Sequence, residues 1–527
     1  MKKIIIGTRG SDLALWQANY TKALLKKNGC EAELKIIQTT GDKSQEWNTS
    51  FDKLEGKGFF TKELEEELLA GTIDVAVHSH KDVPTINTDG LIIAGVSVRE
   101  DPSELLIIRK ESVDENKKFS LKENAVIGTS SARRKSQLLA FRPDIQIKDL
   151  RGNVTTRIKK LAEKQYDAIL LANAGVQRLE INLDEFYSEK LFPNEFVPAP
   201  AQGVLAWQIK ETNEELLNII DKISDLDTLI KINVERGILN LFDGGCSLPL
   251  GAYCEAEHDK DDRLKFKTWV SVAEAWNSQP KQLYFESFFT DELAEKITSH
   301  IKNISPKKIF ITKNMREKDY LPRALKNLNF KSDGKSLIEF KQIPMSFLPK
   351  SDWIFFGSKH AVRYFFNQKP EIGNVKIGCV GKATAQELRT FGFRADFIGQ
   401  STDTKLIGKQ FSSVSGNATV LFPIAKESLQ SIQHQIIKQD KVINLPVYAT
   451  LKHSVEIDPD VDIIVFTSPS NVDAFFEKNK FSVTQKAVAM GEATQKALIK
   501  KSVKEKQIAI TNSFDDLGLF RAILQLS

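Results

Sequence analysis

Ile73-Asp74-Val75-Ala76-Val77-His78-Ser79-His80-Lys81-Asp82-Val83-Pro84 decides how this chain is built. The first five residues are the short apolar run that a parallel strand buried on both faces requires, and its carboxyl end delivers a polar turn. In open α/β sheets that edge is where ligands sit. The Lys81-Asp82 pair there has two readings: a surface ion pair of small weight, or a carboxylate held to face a developing cation. His78 and His80, two positions apart with no third ligand in sight, read as structural histidines, and no metal site is expected.

Upstream, Lys3 to Gly7 reads as a strand, Thr8 to Ser11 as a turn, and Leu13 to Asn28 as a helix capped by Ser11 and closed by Asn28-Gly29. Arg9 and Ser11 thus stand at a helix N-terminus, either as a carboxylate or phosphate site or as a plain cap. Glu31 to Gln38 reads as a second strand, 41–58 as a long loop able to act as a lid, and Thr61 to Ala70 as a helix.

Downstream, Glu100-Asp101-Pro102 reads as a hinge into a second lobe. The strand over Ala125 to Gly128 leads into Thr129-Ser130-Ser131-Ala132-Arg133-Arg134, and Leu150-Arg151-Gly152-Asn153-Val154-Thr155-Thr156-Arg157 repeats that strand, turn and helix design. Ala168 to Ala172 is a further buried strand, with Arg178 after it. Arg9, Lys81, Arg133, Arg134, Arg151, Arg157 and Arg178 therefore occupy strand-to-helix turns or their surroundings. Converging turns of this kind line a cleft for a polycarboxylate, since the planar fork of arginine pairs bidentately with carboxylate. Scattered solvated arginines are the alternative, and they leave the repetition unexplained.

Pro198-Ala199-Pro200-Ala201-Gln202-Gly203 reads as a return crossing, with Val204 to Ile209 as its strand and helical sequence from about Asn213 to Leu241. It leads to Asp243-Gly244-Gly245-Cys246-Ser247-Leu248-Pro249, which sets one thiol on a shaped turn, as an anchor or as a small buried residue. Lys265 to Ala273, Gln282 to Phe289 and a helix over Asp291 to Ile301 form a small α+β piece.

The totals bound the reading. At 527 residues, and about 150 residues per domain, three to five domains are expected. Hydrophobic content of 41% with 27% charged residues is that of a globular chain, and no run approaches the ~18 apolar residues of a membrane span. Met1-Lys2-Lys3 followed by only three apolar residues reads as a first strand and not as a signal peptide. Cys30, Cys246, Cys254 and Cys379 form no Cys-x-x-Cys pair, so neither zinc nor a disulfide framework is indicated and a reducing cytoplasm is expected. A net charge of +5 and a pI near 8.7, with arginines gathered at turns, favour small anionic ligands over nucleic acid.

Residues 1 to about 304 resemble porphobilinogen deaminase (hydroxymethylbilane synthase). The likeness is carried by Arg9-x-Ser11-x-Leu13-Ala14, Gly56-x-Gly58-x-Phe60-x-Lys62-Glu63-Leu64-Glu65 and His78-Ser79-x-Lys81-Asp82-Val83-Pro84, and by the Gly128 to Arg134, Leu150 to Arg157 and Gly244-Gly245-Cys246 motifs. The resemblance implies that Cys246 carries a covalent dipyrromethane cofactor, with Ser131, Arg133, Arg134, Lys81 and Asp82 about it. Porphobilinogen units are then added with loss of ammonia to give hydroxymethylbilane. Asp82 and Lys81 are its implied catalytic residues, and Arg9, Ser11, Arg151, Arg157, Arg178 and Gln202 its substrate contacts. Ala201 stands where the family usually has glycine, Gln208 where glutamate is common, and Gly237 where alanine is. Cys254 matches no family position.

After Ser305-Pro306 the chain repeats itself. Phe356-x-Ser358 with Val362 and Phe365-Phe366 recurs as Phe466-x-Ser468 with Val472 and Phe475-Phe476, and Gly381-x-Ala383-Thr384 recurs as Gly491-x-Ala493-Thr494, all at an offset of 110 residues. Two similar α/β lobes are expected, with hydroxyls at helix N-termini. Val447-Tyr448-x-Thr450, the Phe466 to Val472 segment and Gly491-x-Ala493-Thr494 resemble uroporphyrinogen-III synthase. That likeness implies a supporting role for Tyr448 and contacts from Ser468, Asn471 and Thr494 to acetate and propionate groups. Lys359-His360 stand where Pro-Arg or Pro-Ser is common and are left without a role.

The fold so implied is α/β multidomain. A three-domain deaminase is expected over 1–304, with two periplasmic-binding-protein-like α/β lobes (lobe 1 about 1–99 and 204–222, lobe 2 about 100–203) and a small cofactor-bearing α+β domain (about 223–304). A two-lobed doubly wound synthase follows over 305–527, lobe A about 305–343 and 451–527 and lobe B about 344–450. The expected whole is a bifunctional cytoplasmic enzyme, a monomer, without nucleic-acid or membrane partners. Two alternatives stand beside it: an active deaminase with a C-terminal docking domain, and a non-enzymatic two-lobed anion-binding protein.

Overall fold

The computed structural model of the chain describes residues 3–39, 61–242, 248–401, 403–428 and 430–527, so the expected lid at 41–58 and Cys246 lie outside the described residues. The chain divides into two compact units, Met1–Ile304 and Ser305–Ser527. No described helix is long and apolar enough to cross a membrane.

The first unit holds two five-stranded sheets of one design. In one, Ala32–Ile36, Ile4–Thr8 and Val75–Ser79 run parallel, and Leu205–Lys210 lies antiparallel between Val75–Ser79 and Leu91–Val96. In the other, Gln146–Lys148, Val126–Gly128 and Ala168–Ala172 run parallel, and Glu104–Arg109 lies antiparallel between Ala168–Ala172 and Phe186–Leu191. The chain passes from the first sheet into the second through 97–103 and returns through 192–204, so each sheet takes its antiparallel strand from beside a crossing. Both faces of the first sheet are covered: Ile6, Leu25, Val75 and Trp207 are buried on one side, and Leu64, Leu68, Ile73 and Ala76 on the other. That double burial is why Val75, Ala76 and Val77 are apolar without alternation.

The key strand is displaced from its sequence reading. It spans Val75–Ser79, because Asp74 is a strand-end acceptor that takes the Ile5 N–H at 2.8 Å. Asp167 accepts from Val126 N at 2.8 Å, Asp396 from Ile377 N at 2.8 Å, Asp352 from Thr419 N at 2.7 Å and Asp462 from Lys308 N at 2.8 Å. Each carboxylate satisfies a backbone donor that the ladder leaves unpaired at the start of a neighbouring strand or just before it.

The helical sequence over Asn213 to Leu241 is two helices and not one. Glu214–Asp221 ends before Asp225, whose carboxylate accepts from Thr228 N at 2.7 Å and starts Leu226–Leu241. The second helix packs on the antiparallel sheet of Leu250–His258, Leu264–Val272 and Lys281–Ser287, and on the helix Leu293–Asn303.

Glu235, in the middle of that helix and wholly buried, ties the unit together. Its oxygens accept from Arg99 Nη1 at 2.6 Å and Nη2 at 3.2 Å, from Ala201 N at 2.7 Å and from Cys254 N at 2.8 Å. The outgoing crossing, the return crossing and the small sheet thus meet on one carboxylate. Ala201 pays a backbone cost here, with φ at +59°, the conformation for which glycine is better suited.

In the second unit the five-stranded sheet is parallel throughout, in the order Lys331–Gly334, Lys308–Ile311, Ile463–Phe466, Lys486–Ala489, Ile508–Ile510. The six-stranded sheet runs Ile338–Gln342, Val442–Lys452, Val420–Ala425, Trp353–Phe356, Lys376–Cys379, Phe397–Ile398, parallel except for the first pair. The lobe boundary expected at 343 needs correction. Ile338–Gln342 pairs with Val442–Lys452 and so belongs to the six-stranded sheet.

The 110-residue offset is carried through element by element. Trp353–Phe356 and Lys359–Phe366 correspond to Ile463–Phe466 and Pro469–Lys478, and Lys376–Cys379 and Lys382–Thr390 to Lys486–Ala489 and Glu492–Lys500. The capping serines match in backbone, Ser358 at φ −162°, ψ 158° and Ser468 at φ −165°, ψ 160°.

Replacing Glu235 by alanine strands the Arg99 guanidinium and two buried backbone donors. Breaking a buried pair in this way costs about 3–5 kcal/mol. Urea unfolding of the full chain is expected to show that loss, and an unchanged midpoint would remove Glu235 from this role.

Candidate functional site

The site in the first unit grows from the end of Val75–Ser79. His80–Asp82 forms one tight turn, tied to the return crossing by His80 N to Val204 O at 2.9 Å. Asp82 is exposed at the mouth of a cavity of about 110 Å³, which is also lined by Arg9, Ser11, Gln17, His78 and Ser79. Ser11 caps the helix Asp12–Lys27 by accepting from Ala14 N at 3.4 Å, which sets that helix N-terminus beside the turn. Three sequence-expected residues, Arg9, Ser11 and Asp82, therefore share one cavity.

Beneath it runs a buried polar chain that the sequence reading missed. His78 Nε2 lies 3.0 Å from Gln208 Oε1, Gln208 Nε2 donates to Glu65 Oε1 at 3.1 Å, and Thr88 donates to Glu65 Oε2 at 2.8 Å. Burial pushes the His78 pKa down, which favours the neutral ring. An amide at 208 serves a neutral histidine where a glutamate would draw it towards imidazolium.

Lys81 reaches the crossing, its Nζ donating to Gln202 Oε1 at 3.3 Å, while Gln202 Nε2 donates to Pro102 O at 2.8 Å. Gln202 is fully buried and makes its contacts inside the protein. Burial pushes the Lys81 ammonium down to about 8, opposed by Asp82 and Glu104 and reinforced by Arg133 and Arg134.

Arg133 and Arg134 are not free cleft cations. Both are buried and share Glu104, Arg133 Nη2 to Oε1 at 2.6 Å and Arg134 Nη2 to Oε2 at 2.7 Å. Arg133 Nη1 also donates to Val197 O at 2.9 Å, and Arg134 Nη1 to Leu170 O at 3.0 Å. Burial alone would raise the Glu104 pKa; the two guanidiniums override it and hold the carboxyl down at about 2. Ser131 caps their helix, accepting from Arg134 N at 3.5 Å. A charged residue opening the apolar run Glu104-Leu105-Leu106-Ile107-Ile108 was the available signal for this pair.

The remaining arginines divide. Arg157 Nε donates to Gly152 O at 2.7 Å, and burial with the nearby Arg134 charge lowers its pKa to about 10, with Asp82 opposing. It is thus electrostatically close to Asp82. Arg151 is half-buried on the same turn. Arg178 is buried over the Trp16 ring, 5.3 Å from its centroid, and donates to Gly203 O at 2.8 Å, so it supports the crossing. The three described cysteines, Cys30, Cys254 and Cys379, are buried, and burial pushes the Cys254 thiol up to about 12. Such a thiol is a poor nucleophile.

In the second unit Tyr448 is buried, its hydroxyl 3.3 Å from Ser358 Oγ and its ring stacked on Tyr364 and edge-on to Phe340. His360 packs on Phe340 with ring centroids 4.2 Å apart, and burial pushes its pKa down to about 4. Ser468 caps Pro469–Lys478 and accepts from Asn471 N at 3.2 Å and Nδ2 at 3.0 Å. Asn471 Oδ1 accepts from Leu337 N at 3.1 Å, and Thr494 donates to Met490 O at 3.2 Å. Both side chains are buried.

Three family models match the chain: "Porphobilinogen deaminase, dipyromethane cofactor binding domain" over residues 4–218, "Porphobilinogen deaminase, C-terminal domain" over 229–299, and "Uroporphyrinogen-III synthase HemD" over 336–517. The porphobilinogen deaminase of Sulfurimonas denitrificans is 46% identical over 258 residues, 48% of this chain and 79% of that protein. That of Chlorobium phaeobacteroides is 39% identical over 298 residues, 56% of this chain and 91% of that protein. Among solved structures, the uroporphyrinogen-III synthetase of Helicobacter pylori aligns with 41% of this chain and 98% of its own, at 18% identity and a TM-score of 0.31.

Two pH dependences follow from these environments. Lys81 sheds its proton as pH rises through about 8, so affinity for an acidic substrate is expected to fall above that pH, and Lys81→Arg to move the fall upward in steady-state KM profiles. Glu104 contributes stability that is complete above its ordinary 4.5 and lost as pH falls through about 2, to be checked by acid unfolding.

Proposed function

The chain belongs to the porphobilinogen deaminase family over residues 4–299 and continues into a uroporphyrinogen-III synthase over 336–517, a bifunctional enzyme of tetrapyrrole biosynthesis, and on that premise we propose how its residues divide the work. The first unit condenses four porphobilinogen molecules into hydroxymethylbilane with release of ammonia. The second closes that product, with inversion of its last ring, to uroporphyrinogen III. On this reading the lobes of the first unit are of the periplasmic-binding-protein kind, a hinged cleft turned from binding to chemistry. A single chain suffices, and we take the working form to be a cytoplasmic monomer.

The observation that carries the reading is Asp82, an exposed carboxylate fixed on a tight turn over a cavity that also holds Arg9 and a helix N-terminus. This donor set fits an acidic pyrrole, whose side-chain carboxylates meet cations while its ring N–H meets Asp82. A dipyrromethane attached through Cys246 supplies the electron-rich ring to which the new unit is joined. The chain's own residues do the rest. Asp82 accepts the pyrrole N–H and stabilises the methylene cation left by the departing ammonia, and its carboxylate can carry the proton lost on rearomatisation. Arg9, Ser11, Arg151 and Arg157 receive acetate and propionate groups. Lys81 sets the charge beside Asp82.

Arg133 and Arg134, already joined to Glu104, hold one face of the cofactor site as a neutralised ensemble. Arg178 and Gln202 act on the crossing between lobes. In the second unit Tyr448 is the supporting hydroxyl, poised by Ser358, and Ser468 is the carboxylate contact that Asn471 and Thr494 shape from within.

Intact mass tests the first assignment. The purified protein is expected to exceed its polypeptide mass by two linked pyrrole units, an excess lost in Cys246→Ser and kept in Cys254→Ser. Retention of the excess in Cys246→Ser would displace the anchor. The second activity is read by supplying hydroxymethylbilane and resolving the isomers: the III isomer is expected, whereas pure I isomer, the spontaneous product, would leave the second unit a docking module.

A further inference from the structure

The turn that presents Asp82 is held by a residue that none of the chemistry above uses. Arg236, half-buried on Leu226–Leu241, donates from Nη1 to His80 O at 3.2 Å and to Val83 O at 3.1 Å, and from Nη2 to Pro84 O at 2.6 Å. All three acceptors are backbone carbonyls of one five-residue segment, and Asp82 is at its centre. Among the described residues, Arg236 makes no ion pair with a carboxylate. A guanidinium is suited to this because its fork is planar and rigid, so three bonds to three carbonyls fix the position and the tilt of the segment together. A lysine ammonium, a point donor on a flexible stem, cannot reproduce that fork.

The helix that carries Arg236 has a second fixed point one residue earlier. Glu235 is bound to Arg99, to Ala201 N and to Cys254 N, so the helix is held against rotation on one side while Arg236 grips the Asp82 turn from the other. The same helix ends at Leu241, close in sequence to Cys246.

We propose that Arg236 is a positioning residue for the condensation: it fixes the His80–Pro84 backbone, and through it the Asp82 carboxylate, relative to the helix that leads to Cys246. This rests on the reading of Asp82 and Cys246 given above. Arg236 touches neither substrate nor cofactor, so its effect falls on turnover and not on substrate affinity.

The test is made on the full chain loaded with its pyrrole primer, with Arg236→Lys and Arg236→Gln read at a temperature where circular dichroism shows them folded. Misplacing a catalytic group by a fraction of an ångström costs turnover of the order of tenfold or more, so kcat for ammonia release should fall about tenfold or more in both variants, with KM for porphobilinogen within about twofold. Amide exchange at residues 80–83 should quicken while the rest of the first unit is unchanged. The Arg236→Gln loss should also shrink in an Asp82→Glu background, where the carboxylate is already displaced, since residues acting through one another are not additive. A wild-type kcat in Arg236→Gln, or a loss that simply multiplies that of Asp82→Glu, overturns the inference while leaving Asp82 its role. Full activity in Asp82→Asn overturns both.

Discussion

One carboxylate, Glu235, decides whether the first unit is one body or three pieces. It is fully buried and takes its donors from Arg99 on the outgoing crossing, Ala201 on the return crossing and Cys254 on the small sheet. A buried charge is tolerated only when it is paired and its lone pairs are used, and here every donor comes from a different part of the chain. The three parts therefore cannot drift apart independently without exposing a cost at the same point. The left-handed backbone at Ala201 is a secondary price of that convergence, accepted because its N–H must aim at Glu235. The same logic recurs in the second lobe, where Glu104 holds Arg133 and Arg134.

These two carboxylates separate framework from chemistry. Cations locked to protein carboxylates belong to the framework, and in the proposed function those around Asp82 answer to an arriving acid. The sequence counts seven cations at strand-to-helix turns as equals. The fold sorts them: Arg9 lines the cavity, Arg157 stands in the field of Asp82, and Arg133, Arg134 and Arg178 are buried among internal acceptors.

What was legible in advance is what local pattern controls. The apolar run before His78, the serine caps at Ser11, Ser131 and Ser468, and the 110-residue repeat all reappear as elements, because burial on two faces and helix N-terminal donors leave marks within a few residues. What was illegible depends on partners far along the chain. A charge at the head of an apolar run marks Glu104 as needing a partner, but nothing near it says that two arginines about thirty residues on supply it. Ile338–Gln342 looks like a continuation of its own lobe, until pairing with Val442–Lys452 assigns it to the other sheet. The break at Ile223 to Asp225 lay between, since Ser224-Asp225 is a cap signal that a continuous helical pattern on either side conceals.

The order of strands has a consequence for how the protein is made. Ile4–Thr8 is made before the whole of the second lobe, yet its sheet is incomplete until Leu205–Lys210 arrives, whereas the second lobe closes from residues 104–191 alone. In the second unit Lys308–Ile311 likewise waits for Ile463–Phe466. Within the first unit, the lobe that is begun first is finished after the other, and the edge of Val75–Ser79 stays unpaired until residues 205–210 arrive. Long-range pairings of this kind form slowly and leave apolar edges exposed meanwhile, so the nascent chain, more than the finished enzyme, is the form that needs protection from its neighbours.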